Sequence, residues 1–74
     1  MEKKRLLSVI SAEKAVEIIN AHGWHTNIHH VYAGLACGAY PFGVAIPMGK
    51  STVYEVYEPL LLKWIDERSM EVTA

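Results

Sequence analysis

The stretch Thr26 to Gly43, TNIHHVYAGLACGAYPFG, decides how the rest of the chain is read. Ile28, Val31, Tyr32 and Leu35 recur at i, i+3, i+4 and i+7, which is one face of a helix. Thr26 or Asn27 is placed to cap its start. Gly38 lies where a C-terminal glycine belongs, and Pro41 follows shortly after. The spacing predicts a helix over 26–37, with Asn27, His29 and His30 on its polar side.

The same spacing appears upstream. Ser11 is a good N-cap and Glu13 suits a first turn, while Ala12, Ala15, Val16 and Ile19 share one face. Asn20 and Gly23 are stop signals, so a first helix is expected over 12–21. Two short helices joined by a tight polar connection form a helix-turn-helix candidate.

Downstream the period changes. Phe42, Val44 and Ile46 alternate with Gly43 and Ala45, and the β-branched and aromatic run TVYEVY follows PMGKS. With Pro47 and Gly49 between them, these runs predict a β-hairpin, its Phe42, Val44 and Ile46 side turned to the helices. Glu58-Pro59 then opens a last helix, where Leu61, Trp64 and Ile65 form a narrow apolar face and Lys63, Asp66 and Glu67 point outward. The expected fold is α+β, a small winged helix-turn-helix over 10–68. A flexible basic segment over 1–9 precedes it and a frayed tail over 69–74 follows.

Composition narrows the function. The chain has 74 residues, enough for one small domain. It holds no long apolar run of membrane-spanning length, and its start does not read as a signal peptide. One cysteine, Cys37, precludes an internal disulfide and fits a reducing cytoplasm. An apolar share of 51% argues against disorder, and no repeat or low-complexity tract is visible.

Several chemical readings fail on spacing. GKST at Gly49 to Thr52 resembles the end of a phosphate loop, but the required earlier glycine position holds Val44 and the following run reads as strand. His22, His25, His29 and His30 do not make a structural zinc set, since Gly23 interrupts them and the single cysteine lies far along the second helix. Cys37 is two turns from His29 and His30 and lacks a base with an orienting partner. No carboxylate pair is set for acid–base work, so no enzyme, cofactor or metal site is expected.

The segment from Ile10 to Arg68 resembles the small excisionase-like proteins of phages and conjugative transposons, which share a MerR-like winged helix-turn-helix. The likeness rests on SAEKAVEII, on the capped second helix ending in GAYPFGVAI, and on an aromatic strand running into YEPLLLKWI. It implies double-stranded DNA as partner, with the second helix in the major groove and the hairpin as a wing on the backbone. It also implies neighbouring copies or an integrase as protein partners, in DNA recombination or transcription regulation. Carried over, the DNA-facing positions are Thr26, Asn27, His29, His30 and Ala33 on the helix and Lys50, Ser51 and Thr52 at the wing. Lys14 belongs to the same basic inventory. Close approach of the first helix, or of DNA, is the expected reason for Gly34, since a mid-helix glycine costs ~1 kcal/mol relative to alanine.

Charge sets the strength of that interaction. Seven basic residues against eight acidic ones give a net charge of −1, and the second helix has neither lysine nor arginine. About three or four phosphate contacts would give a salt slope of roughly −3, so one copy is expected to bind weakly. Useful occupancy then requires several copies or a DNA-bound partner. The alternative is a protein-interaction module that keeps the fold without binding DNA.

Overall fold

The computed structural model describes residues 6–70. In chain order these form β1 (Val9–Ile10), α1 (Ala12–Ala21), α2 (Ile28–Ala36), β2 (Gly43–Met48), β3 (Ser51–Tyr57) and α3 (Glu58–Arg68). The result is a small α+β domain: three helices and a three-stranded antiparallel sheet in the order β1-β3-β2.

Local chemistry sets the helix ends. Ser11 is extended, and its Oγ accepts the Lys14 N–H at 3.1 Å, starting α1 as expected. Asn27 does the same for α2, its Oδ1 accepting the His30 N–H at 3.0 Å. Past α2, Gly38 takes φ +80, which an L side chain rarely adopts. Its N–H donates to the Leu35 carbonyl at 3.3 Å, and the Tyr40 N–H donates to that of Gly34 at 3.2 Å, satisfying two carbonyls of the last turn. In α3, Pro59 stands second, where its missing N–H would have had no partner in the helix.

The core is built from Ala12, Ala15 and Ile19 of α1, Val31 and Leu35 of α2, Tyr40 and Phe42 before the sheet, Val56 of β3, and Leu61 and Ile65 of α3. Phe42, Ile19, Leu61, Val31 and Val56 are the largest fully buried side chains. Tyr40 stacks on Phe42 at 5.0 Å, and Trp64 meets both rings edge-on at 5.5 and 5.2 Å.

Three expectations are corrected. The segment over 1–9 is not wholly a flexible lead-in: Val9 and Ile10 pair with Tyr57 and Val56, and Ser8 C=O accepts the Glu58 N–H at 3.0 Å. Lys3, Lys4 and Arg5 lie outside the described residues, as do 71–74 of the tail. Ser69, placed in that tail, caps α3, its N–H donating to Asp66 C=O at 3.2 Å.

The second correction concerns the hairpin. It exists, closed by Met48 opposite Ser51 around Gly49-Lys50, with Gly49 at φ +64 as the first central residue of a primed turn requires. Phe42 is buried as expected, but it sits in the turn before β2. From Gly43 the alternation runs opposite to expectation. Gly43 and Ala45 share the inner face with Tyr54 and Val56, while Val44 and Ile46 are 38% and 39% exposed on the outer face. The reason is volume. A Cβ at Gly43 would collide with the Glu55 carbonyl and stand 3.0 Å from Leu35 Cδ2, so α2 and β3 already fill that side.

The third concerns Gly34. A Cβ there would run into the Tyr40 ring, so this glycine admits an aromatic side chain from the following loop, and not α1.

Candidate nucleic-acid interface

On α2 the buried residues are Val31, Gly34 and Leu35. With 3.6 residues per turn, the opposite ridge carries His29, Ala33 and Ala36, all exposed. One flank of the helix leans on the hairpin: Tyr32 stacks on Tyr54 of β3 at 4.0 Å, and His29 meets Tyr32 edge-on at 6.5 Å. The other flank faces an aromatic cluster of Trp24, Tyr40 and Trp64.

The structure divides the two adjacent histidines. His29 stays on the exposed ridge. His30 is held toward the cluster, its ring edge-on to Trp24 at 5.5 Å and its Nδ1 2.7 Å from the Tyr40 hydroxyl. Burial, and then the Cys37 thiol, push the Tyr40 hydroxyl above its ordinary value. The phenol therefore keeps its proton and is able to donate it to His30 Nδ1, the roles depending on the tautomer of the ring.

The other expected positions fall in three places. Thr26 is half-buried, its N–H donating to Asn20 Oδ1 at 2.8 Å, which ties the connection to the end of α1. Asn27 spends its side-chain oxygen on the α2 cap, leaving its NH2 outward-capable. Lys50, Ser51 and Thr52 are exposed at the hairpin tip, with Ser51 Oγ donating to Met48 C=O at 3.3 Å. Lys14 stands apart on α1, its Nζ 3.6 Å from Glu17 Oε2 with both side chains largely exposed. Such a pair contributes little to stability, yet it places a carboxylate beside that lysine.

Sequence reasoning missed the distribution of acid. From Ile18 to Tyr54 there is no aspartate or glutamate. That interval contains all of α2 and the hairpin tip. The described carboxylates sit on α1, at the base of β3 and on α3. The net charge averages two unlike halves and hides this. Tyr32 and Tyr54 were also missed as parts of the surface between helix and hairpin; the aromatic spacing in TVYEVY was the available signal.

Other chemistry is sparse. Among the described residues no three His, Cys, Asp or Glu side chains converge as a metal set, and no helix is long and apolar enough to cross a membrane. A cleft of about 710 Å³ lies beside the aromatic cluster, floored by Ile19, Trp24, Trp64 and Ile65. The Arg68 guanidinium stands over the Trp64 ring there at 4.7 Å. Comparison with family models, with curated proteins and with solved structures finds no match.

Proposed function

We propose that the chain is a small winged helix-turn-helix DNA-binding protein of excisionase-like type. It lays α2 in the major groove and the 47–52 wing against the backbone. It acts by occupying and bending DNA, without chemical turnover. The observation that carries this reading is the carboxylate-free half of the molecule, which holds both α2 and the wing. A surface with few carboxylates repels phosphates little, even where it has few cations.

His29 is the base-edge residue of this interface. Lys50 is the phosphate residue, and the capped N-terminus of α2 adds its dipole. With so few cations a single copy binds weakly, and neighbouring copies or a DNA-bound recombinase supply the missing affinity. The Lys14–Glu17 pair favours a second reading, a protein-interaction module, because it interrupts any basic stripe across α1.

The test begins with duplexes selected from a random pool, followed by fluorescence anisotropy on selected and scrambled DNA. His29→Ala should cost about 1–3 kcal/mol on the selected site and little on scrambled DNA. Lys50→Ala should weaken both and lower the salt slope by about one. Asn27→Ala is a poor probe, since losing the cap costs ~1 kcal/mol of folding stability. Failure of the parent to retain any duplex at low salt would leave the α2 ridge as a docking surface for protein.

A further inference from the structure

Both tryptophans of the chain line the cleft between the end of α1 and the end of α3. α1 stops at Ala21, and Gly23, at φ +98, turns the chain into Trp24. Trp24 then lies 6.3 Å from Trp64, the two indoles tilted by 34°. Trp64 is fixed by Tyr40 and Phe42, which meet it edge-on from the core. Trp24 keeps 45% of its surface exposed. One cation stands over this apolar floor. The Arg68 guanidinium lies 4.7 Å from the Trp64 ring centre, and its Nη1 donates to Trp64 C=O at 3.3 Å. A guanidinium has five N–H donors, so most of them remain for a ligand. No residue lining the cleft is an aspartate or glutamate. Among the described residues the one ion pair is Lys14 with Glu17, so Arg68 has no carboxylate partner there.

We propose that this cleft binds a small aromatic monocarboxylate. Volume, ring chemistry and charge select that occupant. The cleft, about 710 Å³, falls within the roughly 300–1,000 Å³ of small-molecule sites. The exposed indole of Trp24 accepts a second ring by offset or edge-to-face packing. The guanidinium accepts a carboxylate through two parallel N–H bonds, in a geometry that a carboxylate matches. Trp64 alone separates Trp24 from Arg68. A ring packed on Trp24 therefore brings a carboxylate on a short arm within reach of the guanidinium.

The single cation also sets the charge of the ligand. A monoanion is neutralised by Arg68, whereas the second charge of a phosphate monoester would find no partner. The other polar side chains add little pull. Ser69 Oγ donates its proton to Ile65 C=O at 2.5 Å, and His22 Nδ1 is tied to Ile18 C=O at 2.8 Å. Specificity therefore rests on one indole and one guanidinium acting on two ends of the same molecule. The site uses neither the exposed ridge of α2 nor the hairpin tip, so its failure would leave the DNA reading standing.

The test is a titration of the isotope-labelled full chain with phenylacetate at fixed pH and salt, followed by nuclear magnetic resonance. The two indole N–H signals report directly, because both tryptophans line the cleft. Both should move, with half-saturation on the order of 1 mM, as suits a ligand of about ten heavy atoms. Phenylacetamide keeps the ring and loses the charge; acetate keeps the charge and loses the ring. Each should bind about tenfold more weakly or worse. Arg68→Gln should lose about tenfold in affinity for phenylacetate while melting close to the parent, since Arg68 is exposed. Trp24→Ala should lose about as much, read from the remaining Trp64 signal. Indole signals that stay still at about 20 mM phenylacetate overturn the proposal. So does Arg68→Gln binding like the parent. Phenylacetamide binding as tightly as phenylacetate also overturns it, and makes the cleft a seat for an apolar side chain of a protein partner. Indole signals that shift with protein concentration alone overturn it in favour of a second copy.

Discussion

The two faces of the hairpin are made from similar residues and do opposite things. The inner face sets Gly43 and Ala45 of β2 beside Tyr54 and Val56 of β3, under α2. The outer face sets Val44 and Ile46 beside Glu55 and Val53, open to solvent. The larger side chains of β2 are outside and the smaller ones inside. Burial here follows the space left by the opposing element more than the hydrophobicity of the strand. Leu35 and Tyr32 descend from α2, so β2 supplies little volume of its own on that side. The outer face has no such neighbour and keeps its branched side chains available.

Substitutions can break this contrast, beginning with the largest effect. Val56 is fully buried on the inner face. Val56→Asp places an unpaired charge in the core and should leave the chain unfolded, with no cooperative melt by circular dichroism. Phe42→Ala removes the largest fully buried side chain and should cost about 3–5 kcal/mol in urea titration. Gly34→Ala tests the aromatic contact on the far flank of α2. Helix propensity favours alanine by ~1 kcal/mol, while the clash with the Tyr40 ring should cost about 1–3 kcal/mol. A modest net loss of stability is expected, with a change in the near-ultraviolet signal of Tyr40 and Trp64. A net gain would mean the ring moves aside freely.

Much of the helical framework was legible because its signals are local. Ser11, Asn27, Gly38 and Pro59 each act within a few residues, and each does in the structure what its chemistry implies. The hairpin and its turn were legible for the same reason, through Gly49. Its face was not, because both alternations are apolar and only the opposing helix distinguishes them. β1 was missed because two residues carry no period; Val9 and Ile10 become a strand only by pairing with residues far along the chain. His30 resembles His29 in sequence, but its hydroxyl partner is ten residues away and reaches it only because Gly34 admits the Tyr40 ring. The absence of acid from Ile18 to Tyr54 was visible in the sequence, yet net charge concealed it.

The smallest expected effect gives the most direct test. Ile46 is 39% exposed on the outer face, three residues after Gly43, where the strand begins next to the buried Phe42. Thermal unfolding of Ile46→Asp asks which face carries the fold. A cooperative melt within about 1 kcal/mol of the parent is expected, since an exposed site tolerates a charge. Collapse of the transition, matching Val56→Asp, would contradict it and return Val44 and Ile46 to the core.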